Sequence, residues 1–276
     1  MKKIVLVLCL LFANFFVKAQ EFQGVAYYAS QTQMKNFSIS SNDITPSMKE
    51  EMMAKMKKAF EKTFILTFTK TESLYHEEEK LEVPNPSNGG VQVTFSNGGS
   101  TKLYKNLKLQ NYSTNQDIFG KEFLIEDVLE QFDWKLLNEQ KVIGDYNCSK
   151  AQIIIPVSAN DLKEYQDFKE KQEKNKTAFF SLSEPKERVI EAWYSTNIPV
   201  SNGPEKYWGL PGLILELHDG STTLLCSKII LNPKEKTEIK APKNGKRVSQ
   251  KEFEKIEEKK LKSMMNEEGV IEIRTN

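Results

Sequence analysis

The sequence predicts an α+β protein dominated by one large, curved antiparallel sheet, a half-open barrel with two or three peripheral helices. Three observations carry this. Apolar and polar residues alternate in short runs along most of the chain. The runs are separated by turn pairs such as Asn97-Gly98, Gly144-Asp145 and Asp219-Gly220, the signature of hairpins and hence of antiparallel pairing. Helical spacing is confined to a few charged stretches. A sheet of nine or so twisted strands curls rather than staying flat.

Taken in order, Phe22 to Ser30 opens with Gly24-Val25-Ala26-Tyr27-Tyr28, a first strand of aromatic and branched residues. Thr45-Pro46 supplies a cap and a first-turn proline for a helix over 47–62, with Met48, Met52, Met56 and Phe60 at every fourth position. Phe64 to Tyr75 returns to period two. Pro84 to Gly90 is a loop, and Val91, Val93 and Phe95 alternate before Asn97-Gly98-Gly99. The returning strand carries Leu103, Leu107 and Leu109 on one face. Phe119 to Leu124 reads as extended and Ile125 to Leu129 as one short helical turn. Trp134 to Val142 and Tyr146 to Ile155 make a hairpin about Gly144-Asp145. Asn160 to Lys176 starts as a helix through Leu162, Tyr165 and Phe168. Arg188 to Tyr194 is a strand. Leu213 to His218 and Ser221 to Leu231 form the clearest hairpin. Ser249 to Asn266 is an amphipathic helix with Phe253, Ile256, Leu261 and Met264 on one side, and Val270 to Ile273 adds a last short strand.

The first residues are read as a cleavable leader: Lys2-Lys3, an apolar run from Ile4 to Val17, then Lys18-Ala19, with the cut placed after Ala19. The run is too short to span a bilayer, and no later segment is apolar enough to do so. Residues 20–276 are then one mature domain, exported to the periplasm or cell surface. Of 276 residues, 39 are Lys or Arg and 38 Asp or Glu, interleaved rather than gathered. That balance leaves no electrostatic footprint for nucleic acid. Cys148 and Cys226 remain in the mature chain. Their even number in an exported protein permits a disulfide, and two buried free thiols are the other reading.

No set of residues assembles into a known reaction. Gly-x-Ser-x-Gly is absent, and the Gly-Gly turns lack the lysine and helix of a phosphate loop. His76 and His218 have no second ligand at helical spacing, so neither a metal site nor a cofactor is assigned. Met48, Met52, Met53 and Met56 could hold a soft metal ion, or simply fill gaps in a core. Trp193, Tyr194, Trp208, Leu210 and Leu213 are candidates to line an apolar pocket enclosed by the curved sheet, or to fill an ordinary core.

The stretch from Trp193-Tyr194 through Ile198-Pro199 and Gly203-Pro204 to Gly209-Leu210-Pro211-Gly212-Leu213-Ile214 resembles the GLPGLI family, exported proteins of the Bacteroidota. Ile143-Gly144, Tyr146, Cys148 and Lys150-Ala151 extend the likeness upstream, and the charged stretch 157–187 departs from it as an insertion. The resemblance implies an exported protein without an assigned activity. The prolines and glycines of the motif read as a structural corner, which could alternatively present Trp208 and Leu210 to a partner. The expected function is therefore a non-enzymatic binding or carrier module for an apolar ligand or client segment. Alternatives are an accessory protein docking on an outer-membrane machine through loop 199–212, and metal handling through the methionine helix.

Overall fold

In a computed structural model, residues 22–32, 45–47, 50, 54, 61–79, 101–118, 120–174 and 184–264 are described. The expected leader, most of the expected methionine helix, the expected Asn97-Gly98 turn and the expected last strand at 270–273 lie outside them. Twelve strands form one sheet: β1 (Gly24–Thr32), β2 (Thr63–Phe68), β3 (Glu72–Glu77), β4 (Lys102–Asn106), β5 (Asn111–Ile118), β6 (Lys121–Val128), β7 (Lys135–Ile143), β8 (Tyr146–Ile155), β9 (Arg188–Ser195), β10 (Leu213–His218), β11 (Thr222–Leu231) and β12 (Lys246–Val248). Their order is β12-β6-β5-β4-β3-β2-β1-β11-β10-β9-β8-β7. The first six strands make one meander and β7 to β11 a second. The two join where β1 pairs with β11, Gly24 opposite Leu231 and Thr32 opposite Thr222. Pairing is antiparallel throughout except for β12 on β6. The molecule is thus largely β, and its sheet is not closed into a barrel.

The connectivity forces the sheet to roll. From β6 to β7 the sheet counts ten strand spacings, about 48 Å if laid flat. Yet only residues 129–134 connect them, and a chain of that length reaches about 25 Å at most. The two ends of the sheet must therefore come round toward each other, with residues 129–134 as a strap across the gap. The inner face holds the core, including Tyr28, Leu66, Phe68, Phe123, Ile190, Ala192 and Leu217, all almost fully buried.

Several elements differ from the sequence expectation, among them the strand expected to carry Leu103, Leu107 and Leu109 on one face, which ends at Asn106 and turns over 107–110, leaving Leu109 exposed. Residues 64–75 are two strands, because Thr69 Oγ1 accepts from the Thr71 and Glu72 amides and closes a turn without glycine. Residues 111–118, unassigned above, form β5 after a turn in which Gln110 adopts φ 54°. The helical turn expected at Ile125–Leu129 is instead the end of β6 and the residue after it: Ile125 to Val128 pair with β5, and Ile125 also pairs with β12.

Two helices are described in full. Each opens with a reciprocal cap: Ser158 with Asp161 for α1 (Ala159–Lys174), Ser249 with Glu252 for α2 (Gln250–Met264). Helix α2 lies on β6, with Phe253 edge-on to Phe123 at 5.6 Å. Residues Pro46, Ser47, Glu50 and Ala54 are also helical.

The β9–β10 connection, residues 196–212, folds inward instead of passing over the rim. Ile198, Val200, Asn202, Trp208 and Leu210 are buried within it. Its return into β10 requires Gly212 to lie against the backbone of Ser195 and Thr196, where any Cβ would overlap the Ser195 carbonyl. Gly209 turns at φ 100°, with the Trp134 ring 3.6 Å from the position a Cβ would take. Gly209→Ala should therefore cost about 1–2 kcal/mol of backbone strain. Gly212→Ala should cost more than about 3 kcal/mol or abolish folding. Urea unfolding of the two variants would check this; equal losses would contradict the close approach at Gly212.

Candidate functional site

The inward loop divides the space inside the rolled sheet. On one side of it the interior is filled. Trp208 Nε1 donates to the Glu130 carbonyl, and Trp134 Nε1 donates to the Trp208 carbonyl, both at 2.8 Å. The strap and the loop thus hold each other. Tyr28 reaches from β1 to donate to the Ile214 carbonyl at 2.7 Å, at the point where the β9–β10 register shifts. From β4, the wholly buried Lys105 donates to the Gly203 carbonyl at 2.7 Å and more weakly to that of Tyr207 at 3.4 Å.

The sequence-chosen residues fall into two groups. Tyr194, Trp208, Leu210 and Leu213 are buried together with Ile214 in the core. Trp193 points to the outer face, where the Lys141 ammonium lies 4.2 Å from its ring centroid and itself pairs with Glu216. These five residues do not line one cavity. Within the corner motif, Gly203 lies close against Ile214, and Pro204 is buried while Pro211 is exposed. Cys148 and Cys226 are buried free thiols. Burial pushes them up to about 11 and about 12 respectively, so both stay protonated and unreactive near neutral pH. His76 Nδ1 contacts the Glu77 carbonyl and His218 Nδ1 contacts Thr223 Oγ1, each at 3.0 Å.

On the other side of the loop a cleft of about 650 Å³ remains. Sequence reasoning did not find it, because its lining comes from strands distant in the chain. Phe64 and Tyr75 stack at 5.2 Å on one wall, and Phe132 of the strap stacks on Tyr207 of the loop at 5.3 Å. Thr114 and Gln116 of β5 and Ser30 of β1 add polar lining. Glu205 stands at φ 51°, a left-handed conformation that a non-glycine residue adopts at some cost. Its carboxylate meets solvent in the cleft, yet the enclosing walls raise its pKa. Asp219 adds to this, and Lys105 and Lys206 oppose it. The Tyr75 hydroxyl is buried and has no hydrogen-bond partner. Desolvation, with Glu205 and Glu77 nearby, holds it well above its ordinary value. The arrangement offers an amphipathic recess: two aromatic pairs, one unpartnered hydroxyl and one carboxylate held in place by the loop. Among the described residues, no group of three His, Cys, Asp or Glu side chains could hold a metal ion.

Residues 134–216, from just before β7 into β10 and including the whole inward loop, match a family model described as a protein of unknown function (Porph_ging). No curated protein matches the chain. Among solved structures it is similar to PNGF-II in two crystal forms, P21 and C2, at 14% identity and TM-scores of 0.49 and 0.48. Those matches cover 87% of this chain but 34% and 33% of the neighbour, so the chain spans about a third of the neighbour's length.

Burial lowers Lys105 from 10.5 to about 7. Between these values the unfolded chain holds a proton that the folded one has released, so stability should rise with pH there and level off below about pH 7. The melting temperature, followed from about pH 6.5 to about pH 8.5, below the range in which the two raised cysteines oppose it, should show this rise. Lys105→Met should flatten it whatever its effect on absolute stability; an unchanged slope would remove Lys105 as the source.

Proposed function

We propose that this chain is an exported, non-enzymatic binding module that holds an amphipathic ligand in the cleft between the inward loop and β1 to β5. The cleft itself carries the reading: a recess of about 650 Å³ with two stacked aromatic pairs set among polar and charged side chains, Lys62, Glu77, Glu130, Arg188, Glu205 and Lys206. Such a mixture of aromatic faces and polar side chains suits recognition of a small molecule or an extended segment that has both apolar and polar parts. The recess is open rather than sealed, which favours a ligand with one polar end over a fully apolar one.

We also read the chain as a GLPGLI-type protein. Supporting this are the motif at 209–214 and the family match over 134–216, which share the loop flooring the cleft. Export to the periplasm or cell surface is part of the same reading and rests on the leader-like residues 1–19. Docking on an envelope partner through 199–212 has less support, since Trp208 and Leu210 are buried and only Glu205, Gly209 and Pro211 of residues 203–212 are exposed.

Native mass spectrometry of mature protein released gently from its own cells is the direct test. The expected result is a discrete mass above the polypeptide, extractable into organic solvent. Gln116→Trp, which puts an indole into the cleft, should lose that mass while keeping its melting temperature. A bare polypeptide in the wild type would sink the reading.

A further inference from the structure

The charges around the cleft are unevenly satisfied. Lys62 pairs with Glu77 at 2.7 Å. Lys206 turns toward β5, its ammonium 3.0 Å from the Tyr112 hydroxyl, 3.2 Å from Gln250 Oε1 and 4.2 Å from the Tyr112 ring centroid. Lys105 is committed to the loop carbonyls beneath. Arg188 and Glu130, of opposite sign, are both exposed. Among the described residues Glu205, exposed as they are, also makes no hydrogen bond or ion pair, and it stands at φ 51° in the loop that floors the cleft. A carboxylate that meets solvent in a walled cleft and has no contacting cation is open to a cationic ligand.

The second observation is independent. Tyr75 is 6% exposed, lines the cleft and has a buried hydroxyl without a partner. Native proteins rarely leave such a group unsatisfied, because it costs about 1–3 kcal/mol. The faces of the Phe64–Tyr75 and Phe132–Tyr207 pairs are the remaining large surfaces. Ring faces carry partial negative charge and attract cations.

Resting on the binding reading above, we propose that the cleft takes an organic ammonium group carried on an apolar chain, with Glu205 as its counter-ion. Its N–H groups supply what both unpartnered groups lack: a positive charge for Glu205 and a donor for the Tyr75 oxygen. The apolar chain then lies along the aromatic pairs. An anionic head group would have Arg188 as a counter-ion, since Lys62 and Lys206 already have partners, but would lie in the same lining as Glu205, Glu77 and Glu130, and a neutral one would leave Glu205 uncompensated.

The test is isothermal titration of the mature chain with n-octylamine, n-octanol and octanoate near neutral pH, on wild type, Glu205→Gln and Tyr75→Phe, with a melting curve for each. Octylammonium should bind wild type more tightly than the other two. Glu205→Gln should weaken it by roughly tenfold or more. Tyr75→Phe should weaken it severalfold while its melting temperature holds or rises, since the lost hydroxyl had no partner. Equal binding of octanol or octanoate, or an unchanged affinity in Glu205→Gln, overturns the ammonium assignment and leaves the cleft as a binding site. Unchanged affinity in Tyr75→Phe removes Tyr75 from it. Failure of all three probes to bind, together with a bare native mass, overturns the binding reading as well.

Discussion

The short strap between β6 and β7 is the constraint on which everything else rests. A connection of this length cannot join two strands near opposite ends of a twelve-stranded sheet unless the sheet rolls. Rolling creates an inside, and the inside must be filled. The inward β9–β10 loop supplies the filling, and the strap's own Phe132 and Trp134 pack onto it. The paired indole bonds, Trp208 to Glu130 and Trp134 to Trp208, tie the device that rolls the sheet to the device that plugs it. Neither would be stable alone, because the loop has no core without the roll and the strap has no partner without the loop.

Polar groups inside such a plug need partners, and the two that matter are treated oppositely. Lys105 is wholly buried and spends its ammonium on backbone carbonyls, which fixes the loop against β4. Glu205, a few residues along that loop, opens into the cleft and makes no contact of the kind. One lysine thus organises the floor from below while the carboxylate above it is left available. Cation and carboxylate influence one another without pairing, Lys105 lowering the pKa of Glu205 and Glu205 raising that of Lys105.

Much of the strand pattern was legible because it depends on local signals. Gly144-Asp145 and Asp219-Gly220 mark turns by their chemistry, and the β7–β8 and β10–β11 hairpins follow. The β2–β3 turn was hidden because Thr69, Lys70 and Thr71 close it without glycine or asparagine. Strand β12 was hidden because three residues leave no period to read. Trp208, Leu210 and Leu213 stood out as large apolar residues beside a rigid motif, which is true of core and pocket alike, and they are core. Tyr75 and Glu205 carry no local mark. They are 130 positions apart and face one recess only because the sheet rolls, so their relation is a property of the fold and not of any stretch of sequence.

The pairing of β1 with β11 has a consequence for how the chain is made. Tyr27 and Ser227, bonded across that pair, are 200 residues apart. The first meander can form from its own neighbours as the chain emerges, but one edge of β1 stays bare until almost the last strand has been synthesised. Bare edges recruit other bare edges. Long-range pairing of this kind is also slow. The early half of the protein therefore spends its youth as an open template, which makes dilution or a holding chaperone during biogenesis as much a requirement of this topology as any residue in its core.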